Sequence, residues 1–243
     1  GGNAFPDAAA HVARFAGESS LFRGAWRRLT GLLRVLPDAE RNHQFWVFTL
    51  GQALAMLGVN FHYTALPKLV APTKEDTASL GYNRAINWSA QAAASLLTGP
   101  FVDRASTQKV IVRTHLARSL LMLMVPVLFF HGMFGFGIFA ALIGVAGFIQ
   151  LMGMTAGSVA LNRILDKDEA HYNRANAIST ITLNVVGVVG PLLAGAFIAA
   201  MDASFGLLTG NALSYAVYGV LLLAVGVGYT LFLKLPRDEM MSA

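Results

Sequence analysis

The sequence predicts an all-α membrane protein, a bundle of six transmembrane helices. Of its 243 residues 55% are hydrophobic and 13% charged, whereas a soluble domain carries charge at roughly a quarter of its positions. Apolar runs of about 20 residues recur between Phe45 and Leu233, and that length spans a hydrocarbon layer of about 30 Å at 1.5 Å per residue. The runs are continuous and rich in Leu, Ala, Gly and Phe. A barrel would instead alternate apolar and polar residues over segments of about ten.

Residues 1–42 precede the first span. Within them Phe22, Trp26, Leu29, Leu33 and Leu36 recur at helical spacing among Arg23, Arg27, Arg28 and Arg34. Ser19 or Ser20 is placed to cap such a helix and Pro37 to stop it. It suits an amphipathic helix lying on anionic cytoplasmic lipid, or equally one packed on another part of a longer protein. The membrane bundle is expected over 43–234, with spans at about 45–69, 80–102, 110–130, 134–165, 177–201 and 207–233. Thr73-Lys74-Glu75-Asp76 separates the first two, His131-Gly132 the third and fourth, the charged stretch Asn162–Arg174 the fourth and fifth, and Asp202–Gly206 the last two. Residues 235–243 read as the start of a cytoplasmic linker or as a C-terminal tail.

Orientation follows from Lys and Arg. Six arginines precede the first span; Arg104, Lys109 and Arg113 flank the second connection, Arg163, Lys167 and Arg174 the fourth, and Lys234 and Arg237 follow the sixth span. Only Lys68, Lys74 and Arg84 fall on the opposite side. Both termini and the second and fourth connections are therefore expected in the cytoplasm. The net charge of +5 is accordingly an orientation signal and not a nucleic-acid footprint. With no cysteine, disulfides and thiolate metal sites are excluded.

Thr98–Lys109, "TGPFVDRASTQK", is a polar interruption between two apolar runs. Gly99 lets helix ends approach closely, while an ionised Asp103 at a helix terminus can accept backbone N–H bonds or pair with a cation across a boundary. Such a contact holds one conformation and must break in another. In the fifth span, Pro191 removes a backbone donor and Gly187, Gly190 and Gly195 offer a smooth face for close packing.

These two stretches resemble motifs of the major facilitator superfamily. Gly99, Asp103, Arg104 and Lys109 match the signature loop between its second and third spans, although Ser106, Thr107 and Gln108 stand where a second glycine and arginines are usual. "VVGPLLAG" at Val188–Gly195 is similar to the antiporter motif of its exporters, with Ala194 where the first of the paired glycines is usual. The surrounding stretch from Glu169 and the first span "FWVFTLGQALAMLGVNFHYTALP" resemble the branch that includes enterobactin exporters. The resemblance implies the amino-terminal six-helix half of the fold, made of two inverted three-helix repeats. It implies a secondary transporter, an exporter or antiporter of a small organic solute in the bacterial inner membrane. The partners implied are the bilayer, the solute and a second six-helix half, in the same chain or a second copy.

Polar residues within spans are costly and mark cavities or helix–helix hydrogen bonds. Asn60, His62, Asn87, Gln91, Gln150 and Asn184 are the candidates, and they lie on the spans that line the cavity in this superfamily. Each reads either as cavity lining or as an inter-helix bond. Arg118 is the one strong charge well inside a span; it is expected to snorkel or to join the Asp103 latch in preference to binding substrate. No phosphate-binding glycine loop and no HExxH helix occurs, so no enzyme, metal or cofactor is expected. Asp166, Asp168, Glu169 and His171 share their segment with three cations and read as a solvated loop. One bundle is half of a transporter: the chain is expected to be a fragment of a twelve-helix protein, a dimerising half, or a non-transporting membrane subunit or assembly factor derived from the fold.

Overall fold

The computed structural model describes residues 35–36, 38–70, 77–104, 106–165 and 169–235, with side chains for all of these except 77, 97, 99–104 and 169–170. The amphipathic segment before Val35, the separator 73–76, Asp166, Asp168 and the tail from 236 onward lie outside the described residues. Among the described residues all regular structure is helical. The helices are α1 (Ala39–Val70), α2 (Thr77–Arg104), α3 (Thr107–Phe130), α4 (Phe136–Ile164), α5 (Glu169–Phe205) and α6 (Thr209–Phe232). By length and composition α3, α4, α6 and the stretch His171–Phe205 of α5 are apolar enough to cross a membrane. α1 and α2 are more polar, carrying Gln44, Thr49, Gln52, Asn60 and His62, and Asn83, Arg84, Asn87 and Gln91.

The helices overrun the apolar runs. α1 starts at Ala39, where Asp38 Oδ1 accepts the N–H groups of Glu40 (2.8 Å) and Arg41 (3.3 Å), as an N-cap does. Asn42 Oδ1 accepts those of Val35 and Leu36 at 2.7 and 3.1 Å. The polar stretch Thr98–Lys109, expected as a loop, is almost wholly helical: α2 continues through Arg104 and α3 begins at Thr107. Likewise α5 begins at Glu169, so the second half of the expected connection Asn162–Arg174 is helix. Charge marks where lipid ends, whereas the backbone keeps its internal hydrogen bonds past that point. The α5–α6 turn is tight, with Gly206 at φ 98° and Leu208 at φ 70°. Asp202 closes it, its Oδ1 accepting the Gly210 N–H at 2.7 Å, and the left-handed Leu208 is a strained position for a residue with a Cβ.

The packing has an internal two-fold pattern. α1 packs on α6 as α4 packs on α3, α2 packs on α4 as α5 packs on α1, and α3 meets α6. Exchanging α1–α3 with α4–α6 reproduces these partnerships, the arrangement of two inverted, interleaved repeats. The core divides into two apolar clusters, one toward each end. Phe45, Phe48, Ile111, Ala160, Val225 and Tyr229 fill one; Leu66, Met122, Val125, Phe139, Ile143 and Tyr215 fill the other. On α3 and α4 the residues between the clusters include Arg118 and Gln150, so a polar layer crosses the middle of the bundle.

Candidate functional site

The polar layer is positioned by the α3–α6 seam. Ser119 Oγ donates to the Gly219 carbonyl at 2.7 Å, and a Cβ on Gly219 would lie 2.6 Å from Leu123 Cγ. Two helices can approach this closely only with a small residue at the crossing. One residue before Ser119, Arg118 is 7% exposed. Its Nη2 donates to Gln150 Oε1 at 3.0 Å and to the Tyr218 hydroxyl oxygen. The guanidinium carbon lies 5.6 Å from the centroid of the Tyr218 ring, within cation–π range. Its Nε is buried without a hydrogen-bond partner. Arg118 stands halfway along α3 and Gln150 halfway along α4. Arg118 was expected to snorkel or to join the Asp103 latch, and the side chain of Asp103 lies outside the described residues. Arg118 lies about 16 Å into α3 at 1.5 Å per residue and is engaged by α4 and α6.

A cavity of about 210 Å³ opens at this layer, with Arg118, Gln150, Gln52 and His115 among its polar walls and Met56 and Met154 among its apolar ones. The sequence-derived candidates separate into groups around it. His62 is buried with its Nδ1 3.0 Å from the Tyr215 hydroxyl. It lines a second cavity of about 250 Å³ with Asn87, Asn83, Arg84 and Trp88. Asn87 Nδ2 donates to the Ile143 carbonyl at 3.1 Å and Gln91 Nε2 to Asn87 Oδ1 at 2.6 Å. Asn60 Nδ2 donates to the Met56 and Val186 carbonyls at 3.0 and 3.3 Å, tying α1 to α5. Asn184 is exposed on α5. Thus His62 and Asn87 share one cavity, Gln150 joins Arg118 at the other, Asn60 is occupied between helices and Asn184 faces outward.

The expected smooth face of the fifth span is only partly used inside the bundle. A Cβ on Gly190 would run into Asn60, but Gly187 and Gly195 have no neighbour within 4 Å of that position, and Pro191 is exposed. Gly99, Asp103 and Arg104 sit on the last turns of α2, and Lys109 is exposed on the first turn of α3. Among the described residues no group of three His, Cys, Asp or Glu is close enough to hold a metal ion.

Tyr218, Tyr215, Gln52 and Asn83 were missing from the sequence candidates. Tyrosine passes as apolar in a hydropathy count although its hydroxyl needs a partner once buried. Treating every span tyrosine as a hydroxyl to be satisfied would have flagged the pair three residues apart on α6.

Six helices packed around a polar layer, four of them long and apolar enough to cross a membrane, make a multi-pass membrane bundle. The chain matches the Major Facilitator Superfamily over residues 48–241 and belongs to that family of membrane transporters. No curated protein and no solved structure matches it.

Proposed function

We propose that the chain is the amino-terminal six-helix half of a secondary active transporter that exports a small organic solute by alternating access. Family membership carries the transport reading; the Gly190-Pro191 pattern, similar to that of exporters, supports the direction. Both termini are then cytoplasmic, by the distribution of Lys and Arg, and a bacterial inner membrane is the setting. A second six-helix half, in the same full-length chain or a second copy, completes the path. Support for it comes from α5, of whose most apolar stretch 17% is buried against 44% for α3. His62 and Asn87, with Gln91 bonded behind Asn87, lie at one wall of the path and Gln150 at another, with neutral amides offering both donors and acceptors.

Gly99, Asp103, Arg104 and Lys109 form the conformational latch at the α2–α3 junction. Asp103, an acid on the last turn of a helix whose C-terminal dipole repels it, needs a cation or N–H donors from outside that helix. Asp103→Asn keeps the shape and removes the charge. In liposomes containing the full-length protein, this variant is expected to lower solute flux by about tenfold or more while membrane insertion is unchanged. Unchanged flux would rule out the latch.

A further inference from the structure

We infer that Arg118 is the anion-binding group of a midplane site for an organic anion with an apolar body. The inference deepens the transporter reading and rests on it. Its starting point is a charge without a counter-charge. No Asp or Glu occurs between Arg104 and Leu165, between Arg41 and Lys74, or between Ala203 and Arg237. The helices around Arg118 therefore offer no carboxylate at its depth. An unpaired cation at the centre of a bilayer costs several kcal/mol, and such charges face a pathway when they are retained.

The groups that do contact Arg118 are neutral. Gln150 Oε1 and the Tyr218 hydroxyl both take hydrogen bonds from the same nitrogen, Nη2. They orient the guanidinium and leave Nε buried without a partner, while the Arg118 side chain forms part of the cavity wall. A guanidinium suits an anion, whose charge offsets its own, better than it suits a neutral solute. The cavity beside it has about 210 Å³ of space, below the roughly 300–1,000 Å³ of pockets that take drug-sized ligands. Its remaining lining includes Ala55, Val59, Leu183 and Met154, a surface for hydrocarbon. The matching solute carries one anionic head and a small apolar body.

The test is equilibrium binding of radiolabelled benzoate to the purified full-length protein in nanodiscs, with unlabelled benzoate, benzamide and benzylammonium as competitors. Benzoate is expected to compete at least about tenfold better than benzamide, since only the anion compensates the buried guanidinium. Benzylammonium is expected not to compete. Arg118→Gln removes the preference, and Arg118→Lys, a point charge without the fork, keeps part of it. Gln150→Glu supplies an internal carboxylate: this variant is expected to melt higher than the parent and to lose benzoate binding. That pairing of gains and losses would not follow from a purely structural Arg118, and it decides the matter if Arg118→Gln fails to fold. No saturable benzoate binding, equal competition by benzamide, or a preference that survives Arg118→Gln or Gln150→Glu overturns the inference. Flux separates it from the transporter reading. Flux of a neutral or cationic solute that is untouched by Arg118→Gln sinks the anion site and keeps the transporter. Benzoate binding without flux of any solute does the reverse.

Discussion

α5 and α6 are neighbouring helices with similar compositions, each carrying several glycines among Ala, Val and Leu, yet their glycines meet opposite environments. On α6, a Cβ at Gly210 would strike the backbone of Ile198, one at Gly219 the Leu123 side chain, and one at Gly226 the Leu116 side chain. On α5, Gly190 alone is pressed against a neighbour, Asn60, whereas Gly187 and Gly195 have open space. Val188 and Leu192 beside them are each 71% exposed. Three of the four glycines of α6 are consumed in holding this bundle together, and only Gly228 has open space. Those of α5 are mostly left for something outside it, either lipid or a second bundle.

Alanine substitutions grade this contrast in thermal unfolding of the full-length protein in detergent. Gly210→Ala is expected to be the most damaging, at about 3 kcal/mol, because the new methyl would lie 2.8 Å from Ile198 Cα and backbone has no cheap way to retreat. Gly219→Ala follows at about 2 kcal/mol, since Leu123 must change rotamer in the tightest part of the seam. Gly190→Ala should cost about 1 kcal/mol, the Asn60 amide giving way and losing its bond to the Val186 carbonyl. Gly187→Ala and Gly195→Ala are expected within about 0.5 kcal/mol of the parent, as for surface positions. If Gly195→Ala were as costly as Gly210→Ala, the outer face of α5 would be tightly packed in the intact protein, and the face would belong to a second bundle and not to lipid. Leucine at Gly187 or Gly195 sharpens the contrast: stability held with flux lost would place the second half against this face.

The six helices among the described residues were legible from their long, largely apolar runs, although only four are apolar enough by composition to cross a membrane. Helix ends were not legible. Asp103, Arg104 and Glu169 looked like loop residues, but they lie on the ends of helices that run past the apolar stretches. The polar positions within spans were legible singly, as costly residues, while their partners were not. Arg118 and Tyr218 are 100 residues apart, and nothing local announces that contact. Arg118 itself was visible, but its bonds to Gln150 on α4 and Tyr218 on α6 were not. Gly187 and Gly195 show the converse limit: a small-residue pattern states that close approach is possible and does not name the partner.

The central claim is that this chain forms half of a solute path, and flux tests it most directly. The full-length protein, reconstituted in liposomes under an imposed proton gradient, is challenged with a panel of organic anions, neutral solutes and cations. Gradient-dependent movement of at least one solute, weakened by Asp103→Asn, is the expected result. Absence of flux across the whole panel, together with stoichiometric co-purification of another membrane protein, would contradict it and make the chain a non-transporting subunit built on the same fold.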